Sequence, residues 1–133
     1  MKAKKLKVLP CASTGIASEL LNEGTTAHRR FGIPNSVKSD DEPKIDRHSR
    51  FAAVLNVAHA IIIDEISMQD RAVLEYIDKS LRQVAPTQEL RSTPFGGKVV
   101  VLGGDWKQLM PVVIGAGNEK QAQRSVKNCS LFK

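Results

Sequence analysis

Aromatic side chains are scarce: one Trp, one Tyr and four Phe make up 5% of the 133 residues. Any core must therefore be aliphatic, and the 41% hydrophobic content is enough to build one. Long apolar runs are missing as well. The longest, Ala60–Ile63 and Val99–Leu102, are strand-sized and too short to span a bilayer. No apolar segment follows the basic start Met1–Lys7, which argues against a secretory signal. Cysteine is limited to Cys11 and Cys129, two isolated thiols without metal-ligand spacing, so a disulfide scaffold is not indicated. The length suits one small domain or a piece of a larger one.

Positive charge is in excess, with a net +6, but its placement is uninformative. Residues 1–7 hold four lysines and residues 118–133 a surplus of three cations, which leaves residues 8–117 at −1. A basic tail is more often a solvated end than a binding site.

Residues 7–12 read as a strand, followed at Ser13-Thr14-Gly15 by a helix entry with a hydroxyl available as cap. Ile16, Ala17, Leu20 and Leu21 share a helical face, and Gly24 supplies a stop. Residues 25–34 read as an irregular connection, and 35–47 as a surface loop with little intrinsic order. Phe51, Val54, Leu55 and Ala58 predict a helix over 48–58. Ala60–Ile63 and Lys98–Leu102 read as strands buried on both faces. Between them Val73, Leu74, Ile77, Leu81 and Val84 form a helical stripe, with Ser67 and Asp70 resembling a capping box and Pro86 ending the helix. Residues 86–97 read as a loop, and 118–132 as a weak helix on Ala122, Val126 and Phe132. Apolar strands alternating with helices predict an α/β fold with a thin parallel sheet.

In such sheets ligands bind outside the carboxyl ends of the strands. Three polar clusters fall there: Ser13-Thr14-Gly15, Asp64-Glu65, and Gly103-Gly104-Asp105 followed by Gln108. An Asp at a strand end can hold Mg²⁺ through its water shell, and an adjacent Glu can polarise an attacking water. The same pair could equally be an acidic helix entry stabilised by the helix dipole. Gln108 could position a water at a γ-phosphate, or be a surface glutamine. His28 could contact a base or phosphate, or be structural, while Trp106 beside Lys107 could stack a base or anchor a loop. A two-metal nuclease on Asp64, Glu65 and Asp105 is a further reading, but it gives Gln108 and the Ser13 turn no role.

Taken together, four segments resemble the Pif (petite integration frequency) family of superfamily-one DNA helicases. Cys11–Ala17 resembles motif Ia, and Thr25–Pro34 the Thr-x-His-x-x-Phe segment after it. Ile61–Met68 resembles Walker B, and Phe95–Val113 resembles motif III. Ser18, Trp106, Lys107 and Met110 depart from the family's usual residues. The resemblance implies a partial RecA-like P-loop NTPase domain across residues 1–133, using ATP as substrate and Mg²⁺ as cofactor. It implies Mg²⁺ coordination by Asp64, water activation by Glu65 and γ-phosphate sensing by Gln108. Ser13, Thr14 and Gly15, with His28 nearby, would contact single-stranded DNA. The implied activity is 5′-to-3′ translocation and unwinding in repair, recombination and telomere or genome maintenance, in the nucleus or mitochondrion.

One motif is absent. A phosphate-cradling loop needs Gly-x-x-x-x-Gly-Lys-[Ser/Thr]. The sole Gly-Lys pair, Gly97-Lys98, is followed by Val99 and has Ser92 at the first Gly position. In the family that loop and its helix precede the strand at 7–12, and a second motor domain follows. The expectation is accordingly the middle of the first motor domain of an ATP-dependent DNA helicase, as a fragmentary gene model or a decayed transposon copy, with an inactive remnant acting at most as a single-stranded DNA-binding or interaction module as the alternative.

Overall fold

Four parallel strands in the order β2-β1-β3-β4 form the frame: β1 (Val8–Ala12), β2 (Thr25–Thr26), β3 (Ala60–Asp64) and β4 (Val99–Leu102). The computed structural model describes residues 5–21, 24–105, 125–126 and 129–132. Its helices are α1 (Gly15–Glu19), α2 (Ala27–Phe31), α3 (Arg50–Val57), α4 (Arg71–Val84) and α5 (Gln88–Arg91). The expected parallel α/β fold is present, with one strand more than the sequence suggests.

Register explains which strand residues reach the core. Leu9 pairs with Ile61 and Ile61 with Val100, while Cys11, Ile63 and Leu102 form the next row. Both rows pack on one face with Phe31, Leu55 and the α4 stripe Val73, Leu74, Ile77, Leu81 and Val84. Burial pushes the Cys11 thiol up to about 12, against the opposing effect of the Arg30 charge, so it stays protonated.

Strands buried on both faces were expected, and the structure corrects this. The alternate rows, Val8-Ala60-Val99 and Pro10-Ile62-Val101, lie on the opposite face and outside the core cluster. Val99 and Val101 are 62% and 50% exposed. The physical reason is that α2, α3 and α4 all contribute their buried side chains to the other face. On α1, Ile16 and Leu20 are exposed while Ala17 is half-buried, and the helix ends at Glu19, well before the expected stop at Gly24.

Three expected loops hold more structure than their composition shows. Residues 25–34 contain β2 and α2, started by Thr26, whose hydroxyl accepts from the Arg29 amide, and ended by left-handed Gly32. The 35–47 loop has no helix or strand but is strapped to α4. Lys79 Nζ donates to the Ser39 and Asp41 carbonyls at 2.8 and 2.9 Å and pairs with Glu42, and Gln83 donates to the Pro43 carbonyl. Val37 beneath it is buried. Residues 86–97 contain α5 and a 3₁₀ turn, Pro94–Gly97, held by the Phe95 amide on Asp78 Oδ1 at 2.6 Å. Gly96, at φ 61°, passes so near the Leu81 carbonyl that a Cβ would sit 2.6 Å from it.

Two helix-end expectations also change. The cap of α4 is Asp70, accepting from the Ala72 amide at 3.0 Å, whereas Ser67 lies in a preceding 3₁₀ turn, Ile66–Met68. Most of the segment 118–132, expected to be a weak helix, lies outside the described residues. Within them Ser125 bridges Asp70, Val126 and Cys129 are buried, and Ser130–Phe132 is a 3₁₀ turn.

The two faces of the sheet should respond differently to mutation. Val99→Thr with Val101→Thr should change stability by no more than about 0.5 kcal/mol per site while reducing aggregation. Ile61→Ala should cost about 2–5 kcal/mol. Urea denaturation and light scattering on the purified chain check both; equal costs on the two faces would contradict the assignment of the core.

Candidate nucleotide and DNA site

The carboxyl ends of β1, β3 and β4 are joined by a short hydrogen-bond network. The Ser13 amide donates to the Asp64 carbonyl at 3.1 Å, and Ser13 Oγ donates to the Glu65 carbonyl at 2.6 Å. Gln69 Nε2 closes the junction from the other side, donating to the Ser13 carbonyl at 3.1 Å. On the β4 side, the Gly103 amide donates to Ile63 and the Gly103 carbonyl accepts from Ile66, both at 2.9 Å. A Cβ on Gly103 would lie 2.8 Å from Asp64 Oδ1, so glycine lets β4 exit directly beside the Asp64 carboxylate.

The carboxylate pair is held in an unusual backbone. Asp64 ends β3 in extended conformation and turns one oxygen back, accepting the Glu65 amide at 2.9 Å. Glu65 then takes φ 57° and ψ 34°, the left-handed region that glutamate rarely adopts. Such a residue costs about 1–2 kcal/mol and clusters at functional positions. Among the described residues Glu65 Oε2 is buried with no hydrogen-bond partner, and so is the nearby Ser67 Oγ. Buried polar atoms without partners are rare in native folds, and here two of the four, Glu65 Oε2 and Ser67 Oγ, fall at the strand ends, the others being Arg30 Nε and Glu75 Oε2. The donor set suits Mg²⁺, which takes one or two carboxylates together with phosphates and water. Among the described residues no three His, Cys, Asp or Glu side chains form a metal-holding cluster, so the two-metal arrangement of Asp64, Glu65 and Asp105 is not assembled.

The other sequence-predicted residues are distributed around this junction. Thr14 caps α1, its hydroxyl accepting from the Ala17 amide at 3.2 Å. Gly15 is exposed, and a Cβ there would meet nothing within 4 Å. His28 sits half-buried on α2, next to β2 at the sheet edge. Burial lowers its pKa below 6.5, so it is mostly neutral at pH 7 and offers a ring donor rather than a full charge. Gln108, Trp106 and Lys107 lie outside the described residues. Ser13's internal role was missed from sequence, because its partner Glu65 lies 52 residues away.

A parallel sheet with flanking helices and a carboxylate pair at the end of an inner strand is the architecture of a RecA-like domain. Comparison with known proteins makes the assignment narrower. The family model described as PIF1-like helicase matches residues 1–133. The ATP-dependent DNA helicase RRM3 of Saccharomyces cerevisiae is 34% identical over 120 residues, covering 89% of this chain and 15% of that protein. The ATP-dependent DNA helicase Pif1 of a Psychrobacter species is 33% identical over 114 residues, covering 84% of this chain and 16% of that protein. Among solved structures, the Bacteroides Pif1 helicase in complex with ADP-AlF3 and single-stranded DNA superposes with a TM-score of 0.79 at 31% identity, over 99% of this chain and 31% of that one. The chain belongs to the PIF1-like helicase family and spans about a sixth of the length of these two curated relatives.

The junction makes a stability prediction. Ser13→Ala removes the 2.6 Å bond and leaves the Glu65 carbonyl without that donor, which should cost about 1–3 kcal/mol. Ser13→Thr, which keeps the hydroxyl, should recover most of it. Chemical denaturation checks this; a cost below about 0.3 kcal/mol for Ser13→Ala would contradict the junction's role.

Proposed function

We propose that this chain is part of the ATP-hydrolysing motor of a DNA helicase that moves 5′-to-3′ along one strand. The observation that carries the reading is Glu65, left-handed and with a buried carboxylate oxygen that has no partner among the described residues, directly after Asp64 at the end of an inner strand. Asp64 would hold Mg²⁺ on the nucleotide phosphates, and Glu65 would accept the proton of the attacking water. Gln108 would sense the γ-phosphate. ATP is the substrate and single-stranded DNA the track, in keeping with a family neighbour bound to ADP-AlF3 and single-stranded DNA.

The backbone of that strand would pass the Ser13-Thr14-Gly15 turn and His28. Open space above Gly15 supports a close approach there, since no neighbour within the protein requires glycine. Ser13 contributes through its backbone and by holding Glu65, because its hydroxyl is already committed. A strand pulling on this turn would therefore pull on the residue that activates water. Repair, recombination and telomere or genome maintenance are the processes such a motor would serve, and a eukaryotic host would use it where its DNA lies, in the nucleus or mitochondrion.

Phosphoryl transfer depends on positioning the triphosphate, and these 133 residues hold no Gly-x-x-x-x-Gly-Lys-[Ser/Thr] loop to do so. By itself the chain should show no ATPase above background, and it would act at most as a single-strand-binding module. A chimaera in which this chain replaces the matching stretch of the Bacteroides helicase should hydrolyse ATP in response to single-stranded DNA. In it Glu65→Gln should lower turnover by about 10²–10⁴ with nucleotide binding kept. Asp64→Asn should weaken Mg²⁺-dependent binding, and Gln108→Ala should slow hydrolysis with DNA binding retained. Full activity of the Glu65→Gln chimaera would overturn these roles.

A further inference from the structure

Away from the strand ends, one cavity of about 680 Å³ lies along Lys5–Pro10, and a second of about 590 Å³ lies against the start of β2, α2 and α3. The first is lined by Lys5, Lys7, Val8, Pro10 and Arg30, among others, and the second by Thr25, Arg29, Arg30, Arg50 and Phe51. Arg30 and Val54 line both, so the two cavities adjoin and together make up a trough. Its shape follows from the sheet. β2 pairs only with Cys11 and Ala12, so among the described residues no strand lies beside the Val8–Pro10 half of β1 on that side. Pro10, which has no N–H, sits on this half, and its carbonyl accepts from Arg30 Nη2 at 3.5 Å. The α2 and α3 helices supply the far wall.

The charge of this trough is one-sided. Lys5, Lys7, Arg29, Arg30 and Arg50 line it, and among the described residues no Asp or Glu does. Three of these cations come from a body whose net charge is −1, so the fold, not the composition, gathers them with the two terminal lysines. The floor between the charges is apolar, with Leu6, Val54 and Phe51. A long cationic groove with an aromatic side chain suits a phosphodiester backbone better than a compact ligand. One end reaches Thr25, next in sequence to Thr26 and three residues before His28 on the strand-end site.

We propose that this trough is an auxiliary binding site for the sugar-phosphate backbone of single-stranded nucleic acid, extending the track beyond the strand-end turn. The inference rests on the DNA-motor reading above but is carried by different residues, so the two can fail separately. The trough guides the strand electrostatically and is indifferent to base sequence.

The test is fluorescence anisotropy of the 133-residue chain with a labelled deoxythymidine oligomer of about 15 nucleotides, across about 50–200 mM salt. Arg29→Gln with Arg50→Gln removes two trough charges at exposed positions and leaves the Arg30 hydrogen bond in place. This pair should weaken binding roughly tenfold at low salt and flatten the salt slope by about 1.4, the value for two single-strand phosphate contacts. Lys44→Gln with Arg47→Gln, exposed and outside the trough, removes the same charge and should change affinity less than about twofold. Equal effects of the two pairs, or no binding by the unmodified chain, would overturn the trough. Polyglutamate bound as tightly as the oligomer, and weakened equally by the trough pair, would overturn nucleic acid as its occupant. His28→Ala separates the two readings. Binding lost there but kept in the trough pair defeats the trough alone. Binding kept there but lost in the trough pair leaves the trough standing and defeats the strand-end contact.

Discussion

The hydrogen bonds that Ser13 donates to the Asp64 and Glu65 carbonyls are the constraint on which the site depends. Without them the turn after β1 and the carboxylates after β3 would be neighbours by register alone. With them, the backbone of Asp64 and Glu65 is held from one side by Ser13 and Gln69 and from the other by Gly103. That bracing offsets the cost of a left-handed glutamate, of order 1–2 kcal/mol, which a single hydrogen bond of about 1 kcal/mol would offset only in part. Strain of this kind persists where surrounding contacts over-determine the backbone.

The same arrangement links two kinds of chemistry. The turn is where a nucleic-acid strand would approach, and Glu65 is where water would be activated. One serine belongs to both, through its backbone position in the first and its hydroxyl in the second. A motor needs such a connection, because hydrolysis must respond to the track. The trough from β1 to α3 adds length to that track without touching the carboxylates. One part of it follows the Val8–Pro10 stretch, beside which the short β2 leaves no strand among the described residues.

Much of the frame was legible in the sequence because its signals are periodic. The α4 stripe and the β3 run Ile61–Ile63 were read correctly in position and type, and the acidic pair stood out because an apolar strand stops abruptly there. What escaped reading depends on partners distant along the chain. Alternation of buried and exposed residues in β4 is invisible in Val99-Val100-Val101-Leu102, where every residue is apolar; only the placement of the helices decides which face is covered. The order in residues 35–47 comes from Lys79 and Gln83, about 40 residues away, and composition has no access to it. Ser13 looked like a ligand contact or a cap, and the structure gives the cap to Thr14. The trough was hidden for the same reason, since charge counted by segment cannot show which segments the fold brings together.

Amide hydrogen exchange, read residue by residue by NMR, tests the central claim most directly. The Ser13 amide donates to Asp64, the Gly103 amide to Ile63 and the Ile66 amide to Gly103. If the strand ends are one braced junction, these three amides exchange slowly and together, near the rate of global unfolding, and Ser13→Ala speeds all three. If they exchange at unprotected loop rates while the centre of β3 stays protected, the strand ends are not braced, and the coupling of the Ser13 turn to Glu65 is wrong.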